Sequence, residues 1–140
     1  MPTRHDLTRA LLEYRQHGWD AFTDEHGNIM IGVGEHFDAL TFPEPLAAAV
    51  AEAVSTAPLF LDARTRRCTL LTAIACGPLE LPPSLADARV RALPRRTPLL
   101  LPLTDQGGDR SWLTRPISPA LPPWDTAVTA IRRAATGWFR

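Results

Sequence analysis

A chain of 140 residues, 45% of them hydrophobic, can close one core that takes roughly two-thirds of its unfolded surface out of water, so it reads as a single domain, 1–140. It has no apolar run near the roughly 18 residues a membrane span needs. Its first residues also lack the apolar core of a secretory signal, which places it in the cytoplasm with no membrane partner. The formal net charge is zero but segregated: residues 1–62 carry ten acids against three arginines, residues 63–140 twelve arginines against five acids, and lysine is absent.

The spacing of Leu7, Ala10, Leu11 and Tyr14 predicts a helix over residues 6–17, with Gly18 in the left-handed position that ends it. An extended stretch at 19–23, a turn at 24–28 and the alternation of Ile29, Ile31 and Val33 make a hairpin. A third strand runs over 36–42. Pro43 and Pro45 break it, Pro45 opens a helix, and Leu46, Ala49, Val50 and Ala53 stripe that helix as far as Val54. Residues 59–61 and 67–75 form a second hairpin. A rigid loop at 77–83 leads to a short helical turn at 84–88 capped by Ser84. Short strands at 90–93, 99–103 and 111–115 follow, with a turn at 105–108 between the last two. In a final helix, Trp124, Ala127, Val128, Ile131 and Ala135 share one face. Hairpin-paired strands with helices between and at both ends predict an α+β fold: a mainly antiparallel sheet with helices packed on it.

Several chemistries find no support in the spacing. Cys68 and Cys76 would stand roughly 26 Å apart on one strand at about 3.3 Å per residue, too far for a disulfide, so they read as free thiols. No Cys-x-x-Cys or His/Cys pairing offers a zinc site. Gly32-x-Gly34 is no phosphate loop, because Phe37 stands where the third glycine belongs. No serine, Ser118 included, has the glycines of a nucleophile elbow.

Two constellations remain. His36 and Asp38, two residues apart on a predicted strand, would leave from one face as two ligands of a metal or phosphate. The plainer alternative is a polar strand end at which Asp38 accepts a local hydrogen bond. The second constellation is arginine-rich. Arg64, Arg66 and Arg67 crowd the second hairpin, Arg89, Arg91, Arg95 and Arg96 follow, and Arg110 and Arg115 flank the strand that bears Trp112. These arginines are either solvated turn residues that balance the acidic first half or a face that grips phosphates without reading sequence. Trp112 is either a stacking platform for a base or, with Trp124 and Trp138, packing.

Gly18-Trp19, the Phe-Asp-Ala-Leu run at 37–40, the strand at 66–71, "LLLPLT" at 99–104 and "WLTRP" at 112–116 carry a resemblance. The chain resembles small actinobacterial proteins similar to the N-terminal primase–polymerase domain of the archaeo-eukaryotic primase superfamily. That resemblance implies an RRM-like, primase-like sheet with an acid-x-acid pair on one strand, a histidine on another and a third acid, which together hold divalent ions for nucleotidyl transfer. Asp38 falls near the first acid, but Leu40 stands two residues on, Cys68 replaces the histidine, Thr104 replaces a serine, and no third acid matches. The leading expectation is therefore a non-catalytic binding or regulatory module without metal or cofactor. Its arginine face would take nucleic acid, a nucleotide or an acidic protein. One alternative is a Mg²⁺- or Mn²⁺-dependent nucleotidyl-transfer enzyme that uses His36 and Asp38. Another is an interaction subunit that dimerises through apolar residues around 99–103 or Trp124.

Overall fold

Leu70 and Leu71 are neighbours in sequence and both fully buried, yet they lie in different cores. Alternation along a strand produces this, since successive side chains leave opposite faces of a sheet. The structure is a computed structural model and describes residues 4–103, 109–117 and 120–138. Thr104, the turn expected at 105–108, Ser118 and the side chain of Trp138 lie outside the described residues.

In chain order the elements are α1 (Arg4–Gln16), β1 (Phe22–Thr23), β2 (Ile29–Gly32), β3 (Asp38–Pro43), a 3₁₀ turn (Glu44–Leu46) that runs into α2 (Ala47–Ala53), β4 (Leu59–Asp62), β5 (Arg67–Thr72), α3 (Pro83–Asp87), β6 (Arg91–Ala92), β7 (Pro98–Leu101), β8 (Arg110–Thr114) and α4 (Trp124–Trp138). The class is α+β, and every strand pair is antiparallel. The strands form two sheets, ordered β1-β2-β7 and β6-β3-β5-β4-β8. The second sheet arises because β2 takes β7 as its neighbour, with Ile29 opposite Leu101 and Ile31 opposite Leu99. Within the larger sheet, β3-α2-β4-β5-α3-β6 is a β-α-β-β-α-β run whose first strand sits between its third and fourth, the split-βαβ arrangement.

One face of the larger sheet, with Leu40, Phe42, Cys68 and Leu70, packs on α2, α3 and α4 through Val50, Leu85 and Ile131. The opposite face, with Ala39, Phe60 and Leu71, meets Ile29, Ile31 and Leu101 of the smaller sheet and Trp19, while α1 adds Ala10 and Tyr14. Phe60 packs edge-on against Trp112, and Trp19 against Phe37, with centroids 5.3 and 5.1 Å apart.

Local chemistry explains most boundaries. α1 ends in a Schellman motif: Trp19 N–H donates to Tyr14 O and Gly18 N–H to Arg15 O, while Gly18 takes φ +83°. β3 starts at Asp38, not at His36 as the alternation suggested, because Gly34 N–H donates to Phe37 O and closes a turn before it. β5 ends at Thr72, short of the expected residue 75, where Ala73 N–H turns to Pro122 O. Ser84 does not cap α3; Pro82 holds that place and Pro83 fills the first turn. Leu99, Leu101 and Trp124, expected as a dimer patch, are buried inside the fold, because β7 and α4 turn these side chains toward the two cores. Among the described residues, no helix is long and apolar enough to cross a membrane.

Ile131 of α4 and Phe60 of β4 are nearly or fully buried in the two cores on either side of the larger sheet. Ile131→Ala is expected to cost about 2–5 kcal/mol and Phe60→Ala about 3–5 kcal/mol. Each should appear as a lower urea midpoint with the transition still cooperative.

Candidate anion-binding site

His36 and Asp38 do not share a site. His36 lies in the turn before β3, where its Nε2 is 2.9 Å from Asp20 Oδ2. Asp38 is fully buried, and its carboxylate is already occupied. Arg95 donates Nε–H to Oδ1 at 3.3 Å and Nη2–H to Oδ2 at 3.1 Å, and Ala75 N–H donates to Oδ2 at 2.8 Å. Arg95 Nη2 also donates to Ala75 O at 3.0 Å, so one guanidinium ties β3 to the loop after β5. Its hydrogen bonding to Asp38 holds that guanidinium above its ordinary pKa. Gly34 makes the approach possible: a Cβ there would stand 2.7 Å from Arg95 Cγ. Asp38 is thus the counter-ion of Arg95.

The rest of the expected metal chemistry does not assemble either. Leu40 and Cys68 occupy the acid and histidine places implied by the resemblance, and both are fully buried in the helix-side core. Burial first, then the charge of Glu44, pushes the Cys68 thiol up to about 12. No group of three or more His, Cys, Asp or Glu side chains able to hold a metal occurs among the described residues. These residues do not fit a Mg²⁺ or Mn²⁺ pair.

The arginines expected on one face divide among three places. Arg95 and the exposed Arg96 lie near Asp38, at one end of β3. Arg115 pairs with Glu13 at 3.4 Å across a cleft of about 330 Å³ between α1 and β8, lined also by Arg9, Tyr14, His17 and Trp112. Trp112 is half-buried there; its indole N–H donates to Tyr14 Oη at 2.9 Å, and Tyr14 Oη–H donates to Pro102 O. The ring considered as a stacking platform joins α1 to the sheet.

Arg64, Arg66, Arg67 and Arg110 do come together. They surround the β4–β5 turn, at the opposite end of the sheet from Asp38, about 17 Å away along the five steps of β3. The register brings Arg89 and Arg91 to the same place. Arg67 Nη2 donates to Thr41 Oγ1 at 2.9 Å and to Arg89 O at 2.7 Å, and Arg91 on edge strand β6 stands opposite Thr41. Three carboxylates share this rim. Glu44 binds Arg66 at 3.2 Å; Asp62 lies 3.8 Å from Arg110 and accepts Arg64 N–H; Asp109 is exposed beside Arg110. Six arginines against these three acids and the exposed Asp87, two residues before Arg89, leave a surplus of positive charge. Arg67 is half-buried, and its guanidinium pKa is lowered first by burial and then by the charges of Arg91 and Arg89. Such a site suits oxyanions, for which guanidinium offers forked N–H donors.

No family model, curated protein or solved structure matches this chain.

Arg95→Ala strands a buried carboxylate, whereas Asp38→Asn keeps the shape and leaves a guanidinium with access to water. Urea unfolding should therefore show the larger loss for Arg95→Ala. For the thiols, a reagent should modify exposed Cys76 in the native protein and buried Cys68 only after unfolding. The raised Cys68 pKa gives a stability contribution that is intact below the unfolded value of 9.0 and lost as pH rises toward about 12. Unfolding at pH 8 and pH 10 should show this loss, and Cys68→Val should flatten it.

Proposed function

We propose that this chain is a non-catalytic module that binds single-stranded nucleic acid through the arginine rim at the β4–β5 end of its larger sheet. The observation that carries this reading is the gathering of Arg64, Arg66, Arg67, Arg89, Arg91 and Arg110 from three separate segments around one end of the sheet. Phosphate contacts of this kind supply affinity without base recognition. The place is also apt. Thr41, Thr69, Arg67 and Arg91 leave the sheet on the face opposite α2, α3 and α4, and RRM sheets bind RNA on their helix-free face. The smaller sheet and α1 cover much of that face, which leaves the arginine end as its accessible part.

The resemblance to primase–polymerase domains supports a nucleic-acid ligand. The non-catalytic part is supported by the side chains at the acid and histidine positions: Asp38 is held by Arg95, Leu40 is core, and Cys68 is core. Nucleotidyl transfer needs two metals gripped by free carboxylates, and these side chains offer none.

Anisotropy of a short labelled single strand tests the reading. With roughly four phosphates engaged, the log–log salt slope should be roughly −3, which weakens binding roughly 50-fold between about 50 and 200 mM NaCl. Reversal of the exposed Arg64 and Arg91 to glutamate should abolish binding. Absence of binding at low salt, or an affinity indifferent to salt, would overturn the proposal.

A further inference from the structure

Three described residues other than glycine adopt a positive φ, and all three are arginines: Arg66 at 59°, Arg89 at 62° and Arg96 at 74°. That conformation crowds Cβ against the backbone and is ordinarily left to glycine or asparagine. The molecule supplies its own comparison. α3 ends in the same Schellman motif as α1, with Val90 N–H donating to Leu85 O at 2.8 Å and Arg89 N–H to Ala86 O at 3.0 Å. The left-handed position of that motif is Gly18 after α1 and Arg89 after α3. Nothing in the motif asks for a long cationic side chain. A strained residue that glycine would relieve is a pointer to function, and this one carries a guanidinium into the rim.

Its neighbours are hydrogen-bond donors. Arg89 O and Thr41 Oγ1 fix Nη2 of Arg67, which leaves Nε and Nη1 of that half-buried guanidinium for another acceptor. Arg91 pairs with Thr41 across β6 and β3, so its side chain leaves on the same face as Thr41, as does that of Arg67, two residues from Thr69 on β5. No carboxylate forms an ion pair with Arg67, Arg89 or Arg91 among the described residues, while Glu44 and Asp62 are engaged by Arg66 and Arg110. Among the described residues, then, these three cations share one end of the sheet with no carboxylate in ion-pair contact.

We infer that Arg67, Arg89 and Arg91, with Thr41, form a binding site for a phosphate monoester. A monoester carries close to two negative charges near neutral pH and offers three terminal oxygens, whereas a backbone diester carries one charge and two such oxygens. Three uncompensated guanidinium groups match the dianion better. The inference rests on the reading of this rim as a phosphate-binding surface and narrows it from the diesters of a strand to a terminal phosphate.

Arg89→Gly is the decisive variant. It removes the guanidinium, keeps the carbonyl that positions Arg67, and puts glycine where the backbone wants it. Its melting temperature should equal or exceed that of the unaltered protein. In thermal unfolding, inorganic phosphate should raise the melting temperature of the unaltered protein above that in chloride of equal ionic strength, and Arg89→Gly should lose this rise. A 5′-phosphorylated single strand should bind about tenfold tighter than its 5′-hydroxyl twin, and the ratio should collapse in Arg89→Gly. A nucleoside monophosphate that competes as well as the phosphorylated strand would support the site and assign it to small phosphate esters. If phosphate gives no more protection than chloride, or Arg89→Gly keeps the full rise, the monoester site is overturned, even where salt-sensitive strand binding persists. If phosphate protects but no strand binds, the nucleic-acid reading falls while the site stands.

Discussion

The larger sheet is covered on both faces, so a charged side chain can leave it only at its ends or must be neutralised inside. Alternate residues of β3 and β5 feed a helix-side core and a sheet-side core, and Leu40, Phe42, Leu70 and Leu71 are all fully buried. One carboxylate breaks this pattern. Asp38 stands at a fully buried position and is tolerable only because Arg95 and Ala75 N–H satisfy it. That ion pair is also a clamp, since it joins β3, the loop after β5 and the segment between β6 and β7. Gly34 keeps the approach open. Asp38 thus serves as mortar.

At the other end of the same strands the opposite arrangement holds. The β4–β5 turn and the short edge strand β6 deliver arginines to open solvent faster than acids can balance them. Short, charged edge strands also discourage unwanted sheet extension. Edge protection alone does not account for Arg89, whose side chain sits in a left-handed position after a helix, not on a strand. Local backbone preference and side-chain identity disagree there, as they also do at Arg66 and Arg96.

The charge segregation of the chain acquires a physical meaning. Four ion pairs bridge the acidic first half and the basic second half: Arg66 with Glu44, Arg95 with Asp38, Arg110 with Asp62, and Arg115 with Glu13. Three of these are partly exposed at the surface and contribute little stability individually; their effect is to place positive charge where it is compensated. Arg64, Arg67, Arg89 and Arg91 of the basic half take no part in these four pairs and gather at one rim, so a chain of zero net charge still presents a cationic site.

By itself the sequence determined the elements whose signals are local. The 3.6-residue stripes gave α1, α2 and α4, Gly18 marked the end of α1, and the hairpins β1–β2 and β4–β5 followed from alternation around turn residues. The crowd of arginines around the second hairpin was equally legible. Tertiary structure alone decided the pairings of β2 with β7 and β8 with β4, because contacts between residues so distant in sequence leave no periodic trace. It also decided the fate of the candidate residues. His36 and Asp38 were parted by a turn, Arg95 was drawn from the arginine set to neutralise a buried acid, and Trp112 was fixed against Tyr14. Arg89 and Arg91 reached Arg67 only because β6 pairs with β3, and no spacing in the chain could announce that edge.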